Sequence, residues 1–547
     1  MTEPVTTSYD AVPYESSSFP QTHPDRLATV ATLLGMNPVP VERCRVLELG
    51  CGMGDNLIPM AAGLPESTFV GIDLSGRQIA AAQKMADDLG LRNIGLRHQD
   101  IMAAGEELGR FDYIICNGVY SWVPDAVQGK ILEICSRNLA ENGVAYVSYN
   151  TYPGWHMRGM IRDMMRYHAE QFSDPKVRVK QARNLIGFLA KSVARERTPY
   201  SLLLQTELER LSQSRDSYLF HEHLEEVNEP IYFYQFVERA AAKGLKYLGE
   251  ADLRVMLPGN FPPEVENVLQ VLSSDLTHLE QYMDFLRNRT FRQTLLCHAA
   301  IPLTYKIRPE RLASFYVASP AKAVAGQTPH PQPLSPEGRG EQHTMVDIQS
   351  NEYVRFESPD GIAISLNHPM TKAAMLCLSE TWPRRTPVKT LRAEARARLN
   401  LDRAEDANSV AQDLAILGKW LLTAYTSVSD RLIELNLSAP RFVAEATERP
   451  VASPVARYQA ASGNRVTNMR HESVHLDELH RQLLRRMDGS RDRAALLEEI
   501  VKLAGSGNLR LQQDGVAADP QTLKQEIEQR VFNQKLTELA HWALLVG

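Results

Sequence analysis

Residues 46 to 54 read Val-Leu-Glu-Leu-Gly-Cys-Gly-Met-Gly, an apolar strand pattern running into three glycines at alternate positions. A strand ending in glycines before a helix makes a tight turn, and the missing side chains let a ligand approach the backbone. Three glycines alone are weak evidence. They gain weight from three polar residues that close later strand patterns in register. Asp73 closes the next strand pattern about 20 residues on, where one carboxylate can accept both hydroxyls of a ribose. Asp100 comes after the third strand pattern, where a carboxylate can meet an adenine amine, and Asn117 closes the fourth.

The glycine spacing also selects among ligands. A dinucleotide turn has the form Gly-x-Gly-x-x-Gly and seats a pyrophosphate on the helix N-terminus. Here the third glycine comes one residue early, and Glu48 lies inside the strand beside the turn. A carboxylate there would repel pyrophosphate but suits a ligand bearing an ammonium and a sulfonium. S-adenosylmethionine is the ligand expected, with no metal.

Outward from the turn, strand patterns at Arg45–Leu49, Thr68–Ile72, Ile94–Arg97, Tyr113–Cys116 and Val144–Ser148 alternate with helical patterns such as Gln78–Leu89 and Val127–Leu139. That alternation predicts an α/β domain, a doubly wound Rossmann-like parallel sheet. From residue 154 the character changes: Met157, Met160, Ile161, Met164, Met165 and His168 recur at helical spacing. Phe233–Lys243 and Leu245–Gly249 predict one more helix and strand, and Phe291–Cys297 a further strand. Residues 319–344, rich in Pro, Gly and Gln, predict a disordered linker that resembles a translated intergenic repeat. Tyr353–Leu366 alternates around Pro359-Asp360-Gly361, a hairpin signal. Next come helical patterns near 371–381, 387–399 and 407–418, then a strand pair at Leu421–Tyr425 and Arg431–Leu437, which together predict a winged-helix unit. Pro440–Gly463 reads as another linker, and 464–547 as helical, ending in the long stretch Pro520–Leu545. The expected division is a donor-binding core at 1–153, a helical substrate region at 154–310, a linker at 311–348, a winged-helix-like domain at 349–440 and a C-terminal helical, winged-helix-like domain at 441–547.

Composition narrows the class. The 547 residues carry 60 basic and 66 acidic side chains, a net charge of −6, so no global field attracts nucleic acid or anionic lipid. No segment approaches the roughly 20 apolar residues of a membrane span, and the first fourteen residues lack a signal-peptide core. Six scattered cysteines (Cys44, Cys51, Cys116, Cys135, Cys297, Cys377) show no ligand spacing and read as reduced core residues. A cytoplasmic multidomain protein is expected.

Residues 8–300 resemble bacterial class I methyltransferases that carry a methyltransferase regulatory domain. The matching stretches are SYDAVPYESSSFPQTHPDRLA (8–28), VLELGCGMGDN (46–56), FVGIDLSGRQI (69–79), GVYSWVP (118–124) and YNTYPGW (149–155), then YLFHEHLEE (218–226) and QYMDFLRNRTFRQTLLC (281–297). RVTNMRHESVHLDELHRQLLRRMDGSRDRAALL at 465–497 is similar to the terminal domain of bacterial protein-lysine methyltransferases acting on outer-membrane proteins. The resemblance implies transfer from S-adenosylmethionine to lysine in a protein partner, such as a surface or outer-membrane protein before export, with a homodimer through the C-terminal domains. One departure is Asn117, where that family often has His.

The residues expected to hold the donor are Glu48, Gly50, Cys51, Gly52, Gly54, Asn56, Asp73, Leu74, Asp100, Ile101 and Asn117, with Tyr9 and Tyr14 as lid residues. Asn117, Tyr120, Tyr149 and Trp155 are expected to face the acceptor, since ligands bind beyond the carboxyl ends of the strands and aromatic rings there can box a cation. His221-Glu222-His223 lacks the spacing that puts two imidazoles on one helix face, so local hydrogen bonding is expected rather than a metal. The basic runs at 176–197 and 384–398 read as solvated or protein-contact faces; the expected reading helix carries Glu405, Asp406 and Asp413, the wrong sign for phosphates. A nucleic-acid or small-molecule methyltransferase, or a non-catalytic donor-binding adaptor, remains as an alternative.

Overall fold

The structure, a computed structural model, describes residues 12, 17–324, 347–401, 407–429, 431–439, 441–505 and 531–547. The chain divides into two compact units.

The first unit, residues 43–252 and 261–301 with the N-terminal stretch, is built on a seven-stranded sheet. Its strands are β1 (Arg45–Leu49), β2 (Thr68–Asp73), β3 (Ile94–His98), β4 (Phe111–Cys116), β5 (Leu139–Asn150), β6 (Leu245–Glu250) and β7 (Phe291–His298). Their order is β3-β2-β1-β4-β5-β7-β6. The first five are mutually parallel, as the strand–helix alternation requires, and β7 runs antiparallel between β5 and β6. Parallel pairing puts the C-terminal ends of β1 to β5 on one edge, where the glycine turn, Asp73 and Asn117 fall.

One face of the sheet packs Leu47, Leu49, Ile114, Val147 and Tyr149 against Phe236 and Ala240 of the helix Phe233–Ala241. Between β5 and β6 the helices Gly154–Ala169, Pro175–Val193 and Pro199–Gln213 share a second core of Ile161, Met165, Ala169, Ala182, Ile186 and Leu204. The apolar stripe on the first of these is therefore 161/165/169. Met157 and Met160, which share the helical spacing, point outward.

Asp284, Glu280, Glu250, Arg289 and Arg292 form an ion cluster inside this unit. The wholly buried Arg292 donates from Nε to Asp284 Oδ2 (2.8 Å), from Nη1 to Glu250 Oε1 (2.8 Å) and from Nη2 to Glu280 Oε2 (3.0 Å). Arg289 covers the other Glu250 oxygen at 2.7 Å.

The second unit comprises 19–42, 253–260 and 302–547. Residues 19–42 were expected in the donor core; the structure corrects this. Asp25, in the first turn of the helix Pro24–Leu33, accepts from the amides of Leu437 and Ser438 (3.0 Å each), and Arg311 donates to the carbonyls of Thr32 and Leu33. Residues 311–324 are likewise no linker. Tyr316–Ala318 forms a strand between Thr386–Pro387 and Glu434–Asn436, Phe315, Val317 and Ala321 are buried, and Ser319 donates to the Leu432 carbonyl. Most of the low-complexity stretch, 325–346, lies outside the described residues.

The hairpin expected around Pro359 is present as Val354–Glu357 paired with Ala363–Leu366, and the chain continues into helices Pro369–Thr381, Val388–Arg398 and Ala407–Thr423. Leu421–Tyr425, expected as a strand, is helical. The strand Glu434–Asn436 instead pairs with residues more than a hundred positions earlier. Two arginines of Val388–Arg398 turn inward, Arg392 and Arg396 reaching Asp413, while Arg398 pairs with Glu380 at the surface. The stretch expected as a second linker contains the helix Pro454–Ser462, which packs with Glu478–Arg486 and Asn533–His541 around Leu483, Leu484 and Leu539. Of the long stretch predicted from Pro520, residues 520–530 lie outside the described residues. Among the described residues no helix is long and apolar enough to cross a membrane.

Candidate functional site

The turn after β1 has the conformation its glycines allow. Gly50, Gly52 and Gly54 sit at φ values of +73°, +55° and +76°, a region that residues with a Cβ seldom enter. A Cβ on Gly50 would also run into the Val119 side chain. The amides of Gly50 and Cys51 donate to the Ile72 carbonyl at 2.9 and 3.1 Å, which clamps the turn to the end of β2. Cys51 is buried beneath it against Gly71, where burial holds its thiol neutral.

Asp73 faces this turn from the end of β2. Its Oδ2 accepts from the Gly52 amide at 2.9 Å and its Oδ1 from the Ser75 amide at 2.8 Å. The carboxylate is thus aimed by the backbone and partly exposed. Leu74 beside it is half exposed, and its carbonyl meets His98. Asp100, exposed after β3, caps the short turn Ile101–Ala103 through the Met102 amide. Ile101 sinks into the sheet core below.

Glu48 lies under the turn, buried. Asn56, at the start of the helix Leu57–Gly63, donates to its Oε1 at 2.7 Å, while Oε2 has no hydrogen-bond partner among the described residues. Burial pushes its carboxyl up to about 8, with Asp73 adding to the rise against the pull of Asn56. At neutral pH Glu48 is therefore largely protonated. A positively charged ligand above it would favour the carboxylate and expel that proton.

Register separates the two faces of the sheet. Glu48, Ile115 and Tyr146 are neighbours across β1, β4 and β5 and share one face with Ser148. There the Asn117 side-chain oxygen accepts from the Tyr146 hydroxyl (3.0 Å) and from Ser148 (3.1 Å), and Ser148 also accepts from the Gly118 amide. Both lone-pair directions of that oxygen are engaged. Asn117 is left with its NH2 donors, which make no hydrogen bond among the described residues. Tyr146 and Ser148 are not among the residues expected from sequence. The two-residue alternation of β5 holds the signal, but nothing in the sequence says which of its two faces is which.

Tyr149 and Tyr120 lie on the opposite face, and their expected contact with the acceptor is corrected. Tyr149 stacks on Phe236 at 4.1 Å and its hydroxyl meets Thr294 at 3.1 Å. Tyr120 is wholly buried, edge-on to Phe236 at 5.3 Å, and burial pushes its phenol up to about 12. Both rings were placed by proximity to strand ends, but the helix Phe233–Ala241 closes over that face. Trp155, on the first turn of Gly154–Ala169, packs edge-to-face on the partly exposed Trp122 at 6.3 Å, and its buried indole N–H has no partner among the described residues. Tyr9 and Tyr14 lie outside the described residues. His221 and His223 do not converge on a metal site: His221 Nδ1 meets Glu225 at 2.6 Å and Nε2 meets the Val12 carbonyl.

The chain is similar to known methyltransferases. Residues 40–218 match a methyltransferase domain, 215–298 a predicted methyltransferase regulatory domain, and 448–544 the C-terminal winged helix domain described for PKMT. The chain is 36% identical over 544 residues to the uncharacterized protein RP789 of Rickettsia prowazekii, spanning 98% of this chain and 93% of that one. It is 43% identical over 241 residues to RP028 of the same organism, covering 44% of this chain and 96% of RP028. The solved structure of PKMT2 from Rickettsia typhi in complex with AdoHcy superposes with a TM-score of 0.84, at 33% identity over 98% of this chain and all of that one.

Proposed function

The chain belongs to the S-adenosylmethionine-dependent methyltransferases that join a regulatory domain to a PKMT-type C-terminal winged helix, and from that premise we propose that it methylates lysine side chains of a protein. The observation that carries the donor half is the turn geometry: three glycines at positive φ, clamped to β2, with the backbone-aimed Asp73 opposite. The acceptor half is supported by the likeness to PKMT2 along both chains.

In this reading the Gly50–Gly54 turn receives the methionine part of the donor, Asp73 the ribose hydroxyls, and Asp100 with Ile101 and Leu74 the adenine. Glu48 and Asn56 set the floor. Asn117 presents its NH2 donors rather than its oxygen, so it orients an acceptor atom of the donor or the substrate. Tyr120 and Tyr149 act as packing for the strand ends, and Trp155 with Trp122 forms an apolar wall beside them. Transfer from a sulfonium is an in-line displacement: the amine lone pair forms the new C–N bond as the S–CH3 bond breaks, and the amine then releases a proton to water. Alignment supplies most of such an acceleration. A lysine amine must be neutral to attack, and desolvation against an aromatic wall lowers its pKa.

Purified protein incubated with donor labelled in the methyl group and bacterial lysate should put label into material destroyed by protease and spared by nuclease, and hydrolysis should return it as methyl-lysine. Nuclease-sensitive label would overturn the acceptor assignment. For the donor, affinity should rise with pH until about 8, because binding a cation expels the Glu48 proton, and Glu48→Gln should flatten that rise. Calorimetry across neutral to mildly alkaline pH reads it; a pH-independent affinity in the unsubstituted protein would remove Glu48 from the charge balance of the site.

A further inference from the structure

A groove of about 500 Å3 lies between the helices Phe233–Ala241 and Leu276–Arg287. Its walls include the rings of Tyr234, Tyr282 and Phe285, the carboxylates of Glu238 and Asp275 and the His278 imidazole, and among the described residues neither Lys nor Arg lines it. Asp275 is engaged by His278 at 2.8 Å, but Glu238 is exposed and makes no side-chain hydrogen bond or ion pair among the described residues. Arg239, next along the helix, turns away to Asp125 and Gln128. Gln281 adds an independent feature. It is more than nine-tenths buried, its oxygen accepts from the Tyr234 amide, and its NH2 group has no partner among the described residues.

The groove is continuous with a row of rings that begins just past the end of β5. Tyr152 stacks on His156 at 4.1 Å and meets Tyr232 at 5.2 Å; Tyr232 meets Tyr234 at 5.8 Å and Phe285 at 6.2 Å; Phe285 meets Tyr282 at 6.2 Å. Glu229 and Asp163 lie close enough to Tyr152 to raise its phenol, after burial itself. Aromatic faces edged by carboxylates attract cations and repel phosphates. A volume of this size is that of a ligand-binding cleft.

We propose that this groove docks a lysine-rich peptide segment of the acceptor protein, and that the ring row leads the chain from the groove to the strand ends where transfer occurs. The assignment rests on the protein-lysine reading for what it docks, and on the groove alone for where. Cationic side chains would lie against Tyr282 and Phe285 with Glu238 as counter-charge.

The test is anisotropy titration of the full-length protein with a fluorescein-labelled Lys-Ser repeat peptide, with a Glu-Ser repeat of equal length as control. The double variant Glu238→Gln/Phe285→Ala changes two exposed side chains, and a melting curve checks its fold. It should bind the Lys-Ser peptide roughly tenfold more weakly with AdoHcy affinity unchanged, and the Glu-Ser peptide should not bind. Equal binding by variant and parent, or equal binding of the two peptides, would overturn the groove. If binding depends on the groove but no protein lysine receives label, the lysine reading falls and the cation-binding groove stands. If lysine is labelled while binding ignores the groove, the groove falls alone.

Discussion

Arg292→Met should destabilise the first unit by about 3–5 kcal/mol, the range for stripping one partner from a buried ion cluster. The guanidinium is wholly buried and reaches three carboxylates, Glu250, Glu280 and Asp284, within 3.0 Å, and stacks on Phe233 at 3.7 Å. Methionine fills much of the volume but leaves Arg289 alone to offset three carboxylates. Burial already lifts Glu280 and Asp284 above their ordinary values, while the two arginines hold Glu250 below. Without Arg292, Glu280 and Asp284 would rise further above their unfolded values, and Glu250 would lose one of the two charges that hold it low. A group raised in this way contributes stability that is present below its unfolded pKa and lost as pH climbs through the folded one, so the deficit should widen from mildly acidic to mildly alkaline pH. Urea unfolding at both pH values measures it, and Arg292→Lys, which keeps charge without the planar fork, should fall between. An unchanged midpoint would mean the cluster contributes nothing. The cluster is also tied to the end of β5: Thr294 donates to Glu250 at 2.8 Å and so must accept from Tyr149.

Asp73→Ala should weaken AdoHcy binding by about 3 kcal/mol, roughly 100-fold, since hydrogen bonds to a charged acceptor contribute about 1.5–3 kcal/mol each. Two losses combine. The ribose would lose its acceptor, and the Gly52 and Ser75 amides would lose the carboxylate that holds the turn in its left-handed conformation. Asp73→Asn keeps the shape but replaces one acceptor oxygen with a donor, so it should retain more of the turn than of the affinity. Calorimetry separates the two variants, with thermal melting as control. Unchanged affinity in the alanine variant would remove Asp73 from the donor site.

The glycine-turn side of the candidate site was legible because its signals are local. Gly50, Gly52 and Gly54 sit within one turn of chain, and Asp73 and Asn117 each mark the end of a strand whose period is visible in a few residues. Beyond the strand ends, nearness along the chain points to Tyr149 and Tyr120, but these pack into the core, while Tyr146 and Ser148 share the face of Glu48. A strand's two faces alternate every residue, so a displacement of one position moves a side chain from the site to the core. Phe236, which covers Tyr149, lies 87 positions away and gives no local hint. Arg292 posed the same difficulty: a single arginine in an apolar strand pattern reveals neither its burial nor its three partners.

What the chain determined by itself is the alternation of strands and helices, the glycine turn and the carboxylate beyond it, because backbone sterics and periodic burial act over a few residues. Tertiary structure alone decided which face of β5 meets the donor turn, that residues 19–42 pack with the second unit through Asp25, and that Tyr316–Ala318 pairs with Glu434–Asn436. Those outcomes depend on closing long loops against competing partners. Their free energy comes from which distant surfaces become buried together, and that is not written in any local stretch of sequence.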